Sequence, residues 1–164
     1  MFDSIYQFNY IYDKEKLLTE AQCQDNYQPY YDPKNNNVLP YWHIKHIKSG
    51  YGMEITKRFE SLLNCSIKPR FYHLFAGFEL PMHIDRGTQC SINFVLNDSN
   101  DPVMFENKTV NYKQAVLDVT KKHGVLKNTT DRYLFKMSIF DKSFDEICKI
   151  MHQHNLQYEF DQME

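Results

Sequence analysis

Short apolar runs separated by turn residues fill the middle of the chain, from residue 70 to residue 140. The runs include "RFYHLF" and "RYLFKMSIF", and turn pairs such as Arg86-Gly87 lie between them. Many short strands with turn residues between them are typical of a barrel or a two-sheet jelly roll. The pattern predicts seven strands, over residues 70–75, 81–85, 90–96, 102–107, 115–120, 124–128 and 132–140.

Helices are predicted on both sides of these strands. Residues 52–64 and residues 144–156 repeat apolar side chains at helical spacing, and a shorter helix is predicted at 13–22. Residues 4–12 alternate aromatic and polar positions, which favours a strand. Residues 26–40 contain three prolines and a run of asparagines, which predicts a long loop. The expected fold class is mainly β with flanking helices, around a jelly-roll or cupin-like core.

Composition narrows the class of protein. The chain has 164 residues, 42% of them hydrophobic and 15% aromatic, which predicts one ordered globular domain. We expect supporting strands, loop and helix over 1–66, the strand-rich core over 67–141 and a C-terminal helix over 142–164. The net charge is −2 and the basic residues are scattered, which argues against a nucleic-acid partner.

The cysteine spacing and the hydropathy of the chain indicate in which cellular compartment the protein is expected. The 4 cysteines are far apart and form no C-x-x-C pair, which argues against a disulfide framework and a zinc ribbon. The N-terminus does not read as a signal peptide, and no apolar stretch approaches the ~20 residues that span a bilayer. We therefore expect a soluble cytoplasmic protein with no membrane partner, and the sequence leaves its oligomeric state open.

His83 and Asp85 stand two residues apart in the strand predicted at 81–85. On a strand these two side chains would share one face, while Met82 and Ile84 point the other way. An inward His and Asp without a further partner would be costly to bury, and a bound metal gives a reason for their presence. His-x-acid pairs also arise by chance in a chain with 7 His and 21 acidic residues, so the pair alone does not decide.

His123 is the best-placed third ligand. His43 and His46 precede the strand-rich region, and His73 could face either side of its strand. Two histidines and one carboxylate on adjacent strands form the facial triad that suits non-haem Fe(II) and leaves coordination positions open. A lone histidine at this position would more often be a surface turn residue.

Arg132 begins the strand predicted at 132–140 and follows His123 by nine residues. A guanidinium that points into a barrel needs an anion, and a carboxylate is its natural bidentate partner. Two interpretations stay open: an inward arginine that binds a ligand, or a surface arginine that pairs with Asp131 or Asp141.

Together these motifs resemble those of the 2-oxoglutarate/Fe(II)-dependent oxygenases, and more narrowly the aspartyl/asparaginyl- and prolyl-hydroxylase-like double-stranded β-helix enzymes. The resemblance rests on H-x-D at 83–85, "HGV" at 123–125, Asn128 in the following turn and Arg132, and it covers about residues 70–140. It implies that His83, Asp85 and His123 hold Fe(II) as the catalytic centre. It also implies that Arg132 binds the distal carboxylate of the cosubstrate 2-oxoglutarate.

The same resemblance implies further contacts and a reaction. Tyr72 would be a second contact to the cosubstrate through its hydroxyl, and Asn93 and Ser138 would line the pocket unless they are structural. The enzyme would use O2 to hydroxylate an unactivated C–H bond while 2-oxoglutarate is decarboxylated to succinate. The implied substrate is an amino-acid side chain, in a peptide or protein or free.

The chain departs from these families in two places. The strand "SINFVL" has no Arg-x-His, which puts aspartyl specificity in doubt, and Arg132 is not part of an R-x-S pair. Tyr30, Tyr31, Tyr41 and Trp42 either line an aromatic substrate groove or cover the barrel mouth. Two other functions stay open: a cupin-like metalloenzyme that does not use 2-oxoglutarate, and a non-catalytic jelly-roll binding module. The first needs no buried arginine, and the second needs no metal.

Overall fold

A computed structural model of the protein describes residues 3–32, 36–98 and 102–154. Within these ranges the helices are α1 (Lys14–Gln22), α2 (Tyr51–Leu63) and α3 (Phe144–His154). The strands are β1 (Ile5–Gln7), β2 (Gln28–Asp32), β3 (Asn37–His46), β4 (Ile67–Leu74), β5 (Leu80–His83), β6 (Cys90–Val95), β7 (Val103–Phe105), β8 (Lys108–Val110), β9 (Gln114–Leu117), β10 (His123–Val125) and β11 (Arg132–Ile139).

The strands form two antiparallel sheets. The larger sheet has the order β1-β9-β6-β11-β4-β3-β2, and the smaller has the order β5-β10-β7-β8. Apolar residues of both sheets, Val95 and Leu117 from the larger and Val103 and Phe105 from the smaller, bury against one another between them. Two antiparallel sheets packed face to face are the architecture of a jelly roll. The predicted fold class, mainly β with flanking helices around a double-stranded β-helix core, is confirmed.

The outer face of the larger sheet carries the main hydrophobic core. Phe71, Phe135 and Phe94 lie side by side on β4, β11 and β6, and each is at most 2% exposed. The three helices cover this face with buried side chains that belong to the same cluster: Leu17, Ile55, Phe59, Leu63, Ile147 and Met151. Strand alternation therefore leaves the opposite face of the sheet free to line the space between the sheets.

Side-chain caps fix where the helices begin. Asp13 caps α1 by accepting from a first-turn amide, and the Glu20 carboxylate accepts from the first two amides of α2. Ser143 and Glu146 form a reciprocal capping box before α3, with two hydrogen bonds of 3.2 Å. The longest helix in the described residues, α2, has 13 residues, and no helix there has the length and hydropathy needed to cross a bilayer.

Residues 26–40 contradict the prediction of a long loop. Most of them belong to the β2–β3 hairpin, apart from residues 33–35, which lie outside the described residues. Pro29 and Pro40 are tolerated because β2 is an edge strand and because the register shifts between Pro29 and Tyr30, opposite Pro40. The prediction was wrong because it gave proline more weight than the aromatic residues around it.

Two other predicted strands differ in extent. The strand predicted at 4–12 is reduced to β1, and the Gln114 side chain then bonds both backbone groups of Tyr10 in place of a ladder. The strand predicted at 102–107 is the first half of a β7–β8 hairpin. The predicted helix 144–156 is observed to His154, and its last two residues lie outside the described residues.

Candidate metal and anion site

His83 and His123 face each other on neighbouring strands of the smaller sheet. Strand β10 pairs with β5 so that His123 lies directly opposite His83, and the centroids of the two imidazole rings are 4.4 Å apart. Gly124 permits this pairing, because a Cβ there would lie 2.6 Å from the backbone oxygen of Leu80. The glycine of "HGV" therefore has a structural reason: it lets the two histidine-bearing strands approach closely.

Asp85 lies in the loop after β5, which ends at His83, so the strand prediction was wrong at this residue. The Asp85 amide donates to the Val119 carbonyl at 3.0 Å, which ties the loop to the segment before His123. Asp85 Oδ1 lies 3.3 Å from His83 Nε2 and 3.4 Å from His123 Nε2. These residues form the one group of three metal-type donors found in the described part of the chain.

Backbone carbonyls orient both imidazoles. His83 Nδ1 lies 2.7 Å from the Pro81 carbonyl oxygen, and His123 Nδ1 lies 2.8 Å from the Lys121 carbonyl oxygen. A carbonyl can only accept, so each Nδ1–H donates, and Nε2 is the ring nitrogen that faces Asp85 and is available to a metal ion. This is the tautomer that a metal-binding histidine uses.

The second oxygen of Asp85 contacts a buried ammonium. Lys136 Nζ donates to Asp85 Oδ2 at 2.6 Å, and Lys136 is 8% exposed. Burial raises the pKa of Asp85, but the Lys136 charge and the His123 and His83 contacts outweigh it, and the net pKa is lowered. Burial lowers the pKa of Lys136, but the charge and hydrogen bond of Asp85 together with the nearby Tyr72 outweigh burial, and the net pKa is raised. Asp85 is therefore an ionised carboxylate with one oxygen towards the imidazoles and the other towards the ammonium.

Arg132, Tyr112 and Asn93 form a second polar group in the same cavity. Arg132 is 4% exposed, and its Nη2 donates to the Tyr112 hydroxyl at 3.4 Å. Asn93 Nδ2 donates to that hydroxyl at 3.1 Å. The hydroxyl oxygen thus accepts two bonds, while its own O–H finds no acceptor among the described residues. A buried guanidinium beside a free hydroxyl donor is suited to a carboxylate.

The carboxylates considered as surface partners of Arg132 are engaged elsewhere. Asp131 contacts His73 Nε2 at 2.9 Å, and Asp141 accepts from the backbone amide of Ser66. Arg132 itself points inward, onto the face of the Tyr112 ring. The geometry agrees with the inward interpretation.

One cavity between the sheets joins the two polar groups. Its empty space, together with the open solvent at its mouth, is about 580 Å³. Its lining combines polar residues with an apolar wall: Trp42, Tyr72, Leu74, Leu80, His83, Asn93, Val103, Tyr112, Leu117, Val119, His123, Val125, Arg132, Leu134 and Lys136.

The other predicted cosubstrate contacts divide into two groups. Tyr72 lines the cavity, stacked on Trp42 with ring centroids 5.4 Å apart, and Asn93 lines it beside Tyr112. Ser138 lies on the same face of β11 but outside the cavity lining, and its hydroxyl accepts from Arg70 at 2.8 Å. The structure thus brings six predicted residues together and leaves Ser138 beyond them.

One of the four N-terminal aromatic residues lines this cavity, and a second stacks on it. Trp42 lines it, with its ring 6.2 Å from that of His83, and Tyr30 stacks on Trp42 at 4.5 Å. Tyr41 stacks instead on a neighbouring loop, and Tyr31 is 51% exposed. Tyr30 and Trp42 form an aromatic wall beside the histidine group.

Lys136 and Tyr112 are functional residues that were not predicted from the sequence. Strand alternation could have identified Lys136, because it lies on the face of β11 that also carries Arg132 and Ser138. Tyr112 lies in the connection between β8 and β9, where no periodic pattern marks a residue as inward. Only the folded chain brings it to Arg132.

The sequence matches no family model and no curated protein. The fold, however, is similar to that of solved oxygenases. A prolyl hydroxylase from Trichoplax adhaerens, in complex with a hypoxia inducible factor oxygen degradation domain peptide fragment, superposes with a TM-score of 0.67 at 17% identity, covering 88% of this chain and 85% of that one. A Pseudomonas putida prolyl-4-hydroxylase has a TM-score of 0.66 at 13% identity, over 84% and 92% of the two chains.

A viral collagen prolyl hydroxylase from Paramecium Bursaria Chlorella virus-1, in its 2OG complex, has a TM-score of 0.59 at 10% identity, over 84% of this chain and 96% of that one. At these identities the likeness is one of fold. The structural neighbours of this chain thus include prolyl hydroxylases and other 2OG-Fe(II) oxygenases. The resemblance inferred from the motifs is confirmed at that level.

Proposed function

We propose that this protein is an Fe(II)- and 2-oxoglutarate-dependent oxygenase that hydroxylates an unactivated C–H bond. One observation carries the proposal: both histidines of a His-Asp-His donor group line a single cavity that also holds a buried arginine with a free hydroxyl donor beside it. The fold similarity to prolyl hydroxylases supports the same class.

The donor group fits Fe(II). Two imidazoles and one carboxylate are the ligand set of non-haem Fe(II) sites. Neighbouring ligands of one ion, each bonded at about 2.1 Å, lie about 3 Å apart. The Asp85 Oδ1 separations of 3.3 Å and 3.4 Å from the two Nε2 atoms agree with a shared ion. His83, Asp85 and His123 would hold the metal.

The anion group fits one carboxylate of 2-oxoglutarate. Arg132 would supply the charge and Tyr112 the O–H donor, while Asn93 holds the Tyr112 hydroxyl in place. Tyr72, on the cavity wall between the polar groups, would be the second contact through its hydroxyl. The apolar lining would exclude water around the cosubstrate.

The chain's other residues orient the reacting groups. When bound, Fe(II) and 2-oxoglutarate supply O2 activation, decarboxylation of 2-oxoglutarate to succinate and hydroxylation of a C–H bond. Lys136 holds the second oxygen of Asp85, so that the first faces the imidazoles. The aromatic wall of Tyr30 and Trp42 flanks the route by which a substrate would approach.

The proposed substrate is an amino-acid side chain, in a peptide or free. The Trichoplax adhaerens neighbour was solved with a peptide fragment, which supports a peptide substrate for this fold. The domain limits inferred from the sequence, with the metal site in residues 67–141, remain part of the proposal.

Absorption spectroscopy without oxygen tests the proposal. Fe(II) and then 2-oxoglutarate are added to the metal-free protein, and we expect a weak charge-transfer band that requires both additions. Asp85→Ala should abolish the band and Arg132→Gln should weaken it. Arg58→Gln, which removes the same charge from α2, serves as the matched control.

Two results would contradict the proposal. If Fe(II) binds and 2-oxoglutarate changes nothing, a cupin-like metalloenzyme replaces the oxygenase. If neither binds, the non-catalytic binding module is the better account.

A further inference from the structure

The inner face of the larger sheet continues past the metal group to a second arginine. Arg70 on β4 lies opposite Lys136 on one side and opposite His46 on the other. Cross-strand partners share a face, so these three side chains project from the same surface as Arg132. Arg132 and Lys136 are four residues apart, or about 13 Å along the strand, and Arg70 is level with Lys136.

The two ends of this face differ in access. Arg132 is 4% exposed, enclosed by Tyr112 and the smaller sheet. Arg70 is half-buried, and its neighbour His46 is exposed. The arginine at the closed end suits a cosubstrate that is wholly enclosed. The arginine at the open end lies where a larger molecule can reach it.

Arg70 is held in place but lacks an anion. Its Nη2 donates to the Ser138 hydroxyl at 2.8 Å, and its guanidinium carbon lies 5.5 Å from the centre of the Tyr72 ring. Its Nε is buried and has no hydrogen-bond partner, and no ion pair joins Arg70 to a carboxylate in the described part of the chain. Guanidinium cannot lose its charge, so a buried N–H without an acceptor is costly.

Other cations surround Arg70. The pKa of His46 is lowered, first by burial and then by the charges of Lys68, Arg70 and Lys48. Asp85, the acidic residue paired with Lys136, already contacts that ammonium and both imidazoles. The positive charge at this end of the face is therefore not balanced by the groups that form it.

We propose that Arg70 binds a carboxylate of the primary substrate. This inference rests on the proposed function and assigns it a substrate class: an acidic amino-acid side chain or the main-chain carboxylate of a small acid. Arg132 takes the cosubstrate carboxylate at the closed end, and Arg70 takes the substrate carboxylate at the open end. Ser138 is a positioning residue, because its hydroxyl accepts from Nη2 and so fixes the orientation of the guanidinium.

Side-chain nuclear magnetic resonance tests this assignment without turnover. The Arg Nε–H signals of 15N-labelled protein, loaded with Zn(II) and saturated with 2-oxoglutarate, are followed as probes are added. The probes are N-acetyl-aspartate amide, N-acetylglycine and the neutral N-acetyl-asparagine amide. We expect the Arg70 signal to shift saturably with a carboxylate probe, and the neutral probe to bind about tenfold more weakly. The better of the two carboxylate probes identifies the source of the carboxylate.

Two variants separate a specific contact from general attraction. Arg70→Gln should lower the affinity for the carboxylate probe about tenfold or more, because a charge-assisted hydrogen bond is lost. Lys68→Gln removes the same charge from an exposed position on the same strand and should change binding by less than about twofold. If Arg70→Gln does not fold, the shift of the Arg70 signal in the unchanged protein decides the case.

The inference is overturned if carboxylate and neutral probes bind equally, or if the two variants lose affinity equally. The same spectra report on the proposed function separately, because 2-oxoglutarate should shift the Arg132 Nε–H signal. If Arg132 responds and Arg70 does not, the inference alone fails. If Arg132 does not respond to 2-oxoglutarate, the proposed function fails.

Discussion

Lys136 and Tyr112 complete the two polar groups of the cavity at the scale of single residues. Lys136 Nζ contacts Asp85 Oδ2 at 2.6 Å, and its positive charge offsets the free-energy cost of burying an ionised carboxylate. Tyr112 supplies the hydroxyl that both Arg132 and Asn93 contact. Neither residue is itself a proposed metal ligand. Each can therefore be substituted while all three proposed ligands are kept, and each gives a separate test.

Lys136→Met should destabilise the metal-free protein. The substitution keeps much of the side-chain volume but leaves the Asp85 charge buried without its ammonium, which costs about 3–5 kcal/mol. Urea unfolding in the presence of a chelator measures the change. Lys68→Met, at an exposed position of β4, is the control and should stay within about 0.5 kcal/mol of the unchanged protein. Equal effects of the two variants would show that the ion pair contributes nothing.

Tyr112→Phe should weaken 2-oxoglutarate binding about tenfold while metal affinity is unchanged, because it removes a hydrogen bond to a charged group. Calorimetric titration of 2-oxoglutarate into the Mn(II)-loaded protein measures the dissociation constant. Tyr41→Phe removes a hydroxyl outside the cavity lining and should have no effect. An unchanged dissociation constant for Tyr112→Phe would place the cosubstrate carboxylate elsewhere.

The sequence identified residues that are marked by local spacing. The H-x-D pair and Arg132 at a strand start are visible in short windows of the chain. Tyr112 was not identifiable, because its contact with Arg132 spans 20 residues and depends on how β8 and β9 are connected. Arg70 likewise gains its surroundings from β3 and β11, which flank β4 only in the folded sheet.

At the scale of elements, the pairing of β5 with β10 forms the metal group. Each strand contributes one histidine, and Gly124 lets the backbones approach. The sequence predicted a strand at each place, although it placed Asp85 inside β5 rather than after it and began the second strand at residue 124, one residue after His123. A turn residue and a strand-end residue are hard to distinguish by a period of two over five positions.

Gly124→Ala should disturb this pairing. The added Cβ would meet the Leu80 backbone oxygen at 2.6 Å, and backbone atoms cannot move aside as a flexible side chain can. We expect a loss of about 1–3 kcal/mol in the free energy of unfolding and weaker metal binding, since His123 is the adjacent residue. Urea unfolding and a Mn(II) titration measure the two effects. Unchanged metal affinity would mean that β10 can shift without moving the histidine.

The β2–β3 hairpin shows that prolines in a sequence do not by themselves identify a loop. Its prolines and asparagines indicated a loop, yet an edge position and a register shift accommodate them. Whether a strand lies at an edge is a property of the whole sheet, which no short window of sequence contains. The hairpin also carries Tyr30 and Trp42, so the error concealed how Trp42 comes to line the cavity with Tyr30 stacked on it.

At the scale of the whole molecule, the larger sheet separates stability from chemistry. Its outer face packs aromatic residues against three helices, and its inner face presents Arg132, Lys136 and Arg70 to the space between the sheets. Composition and periodicity predicted this division in outline, because amphipathic helices flank a strand-rich middle.

Metal binding should stabilise the whole fold. A ligand that binds only the folded state, present at 100 times its dissociation constant, adds about 2.7 kcal/mol to the free energy of unfolding. Thermal unfolding with and without Mn(II) should therefore show a higher midpoint with metal in the unchanged protein. Asp85→Ala should lose this difference. An equal rise in Asp85→Ala would mean that the metal binds at another place.

The most direct test of the central claim is a crystal structure with Mn(II) and 2-oxoglutarate bound. We expect the metal to be ligated by His83, Asp85 and His123, and the distal carboxylate of 2-oxoglutarate to contact Arg132 and the Tyr112 hydroxyl. Metal at this site with 2-oxoglutarate absent or bound away from Arg132 would contradict the account. So would a metal that leaves any of the three proposed ligands unbound.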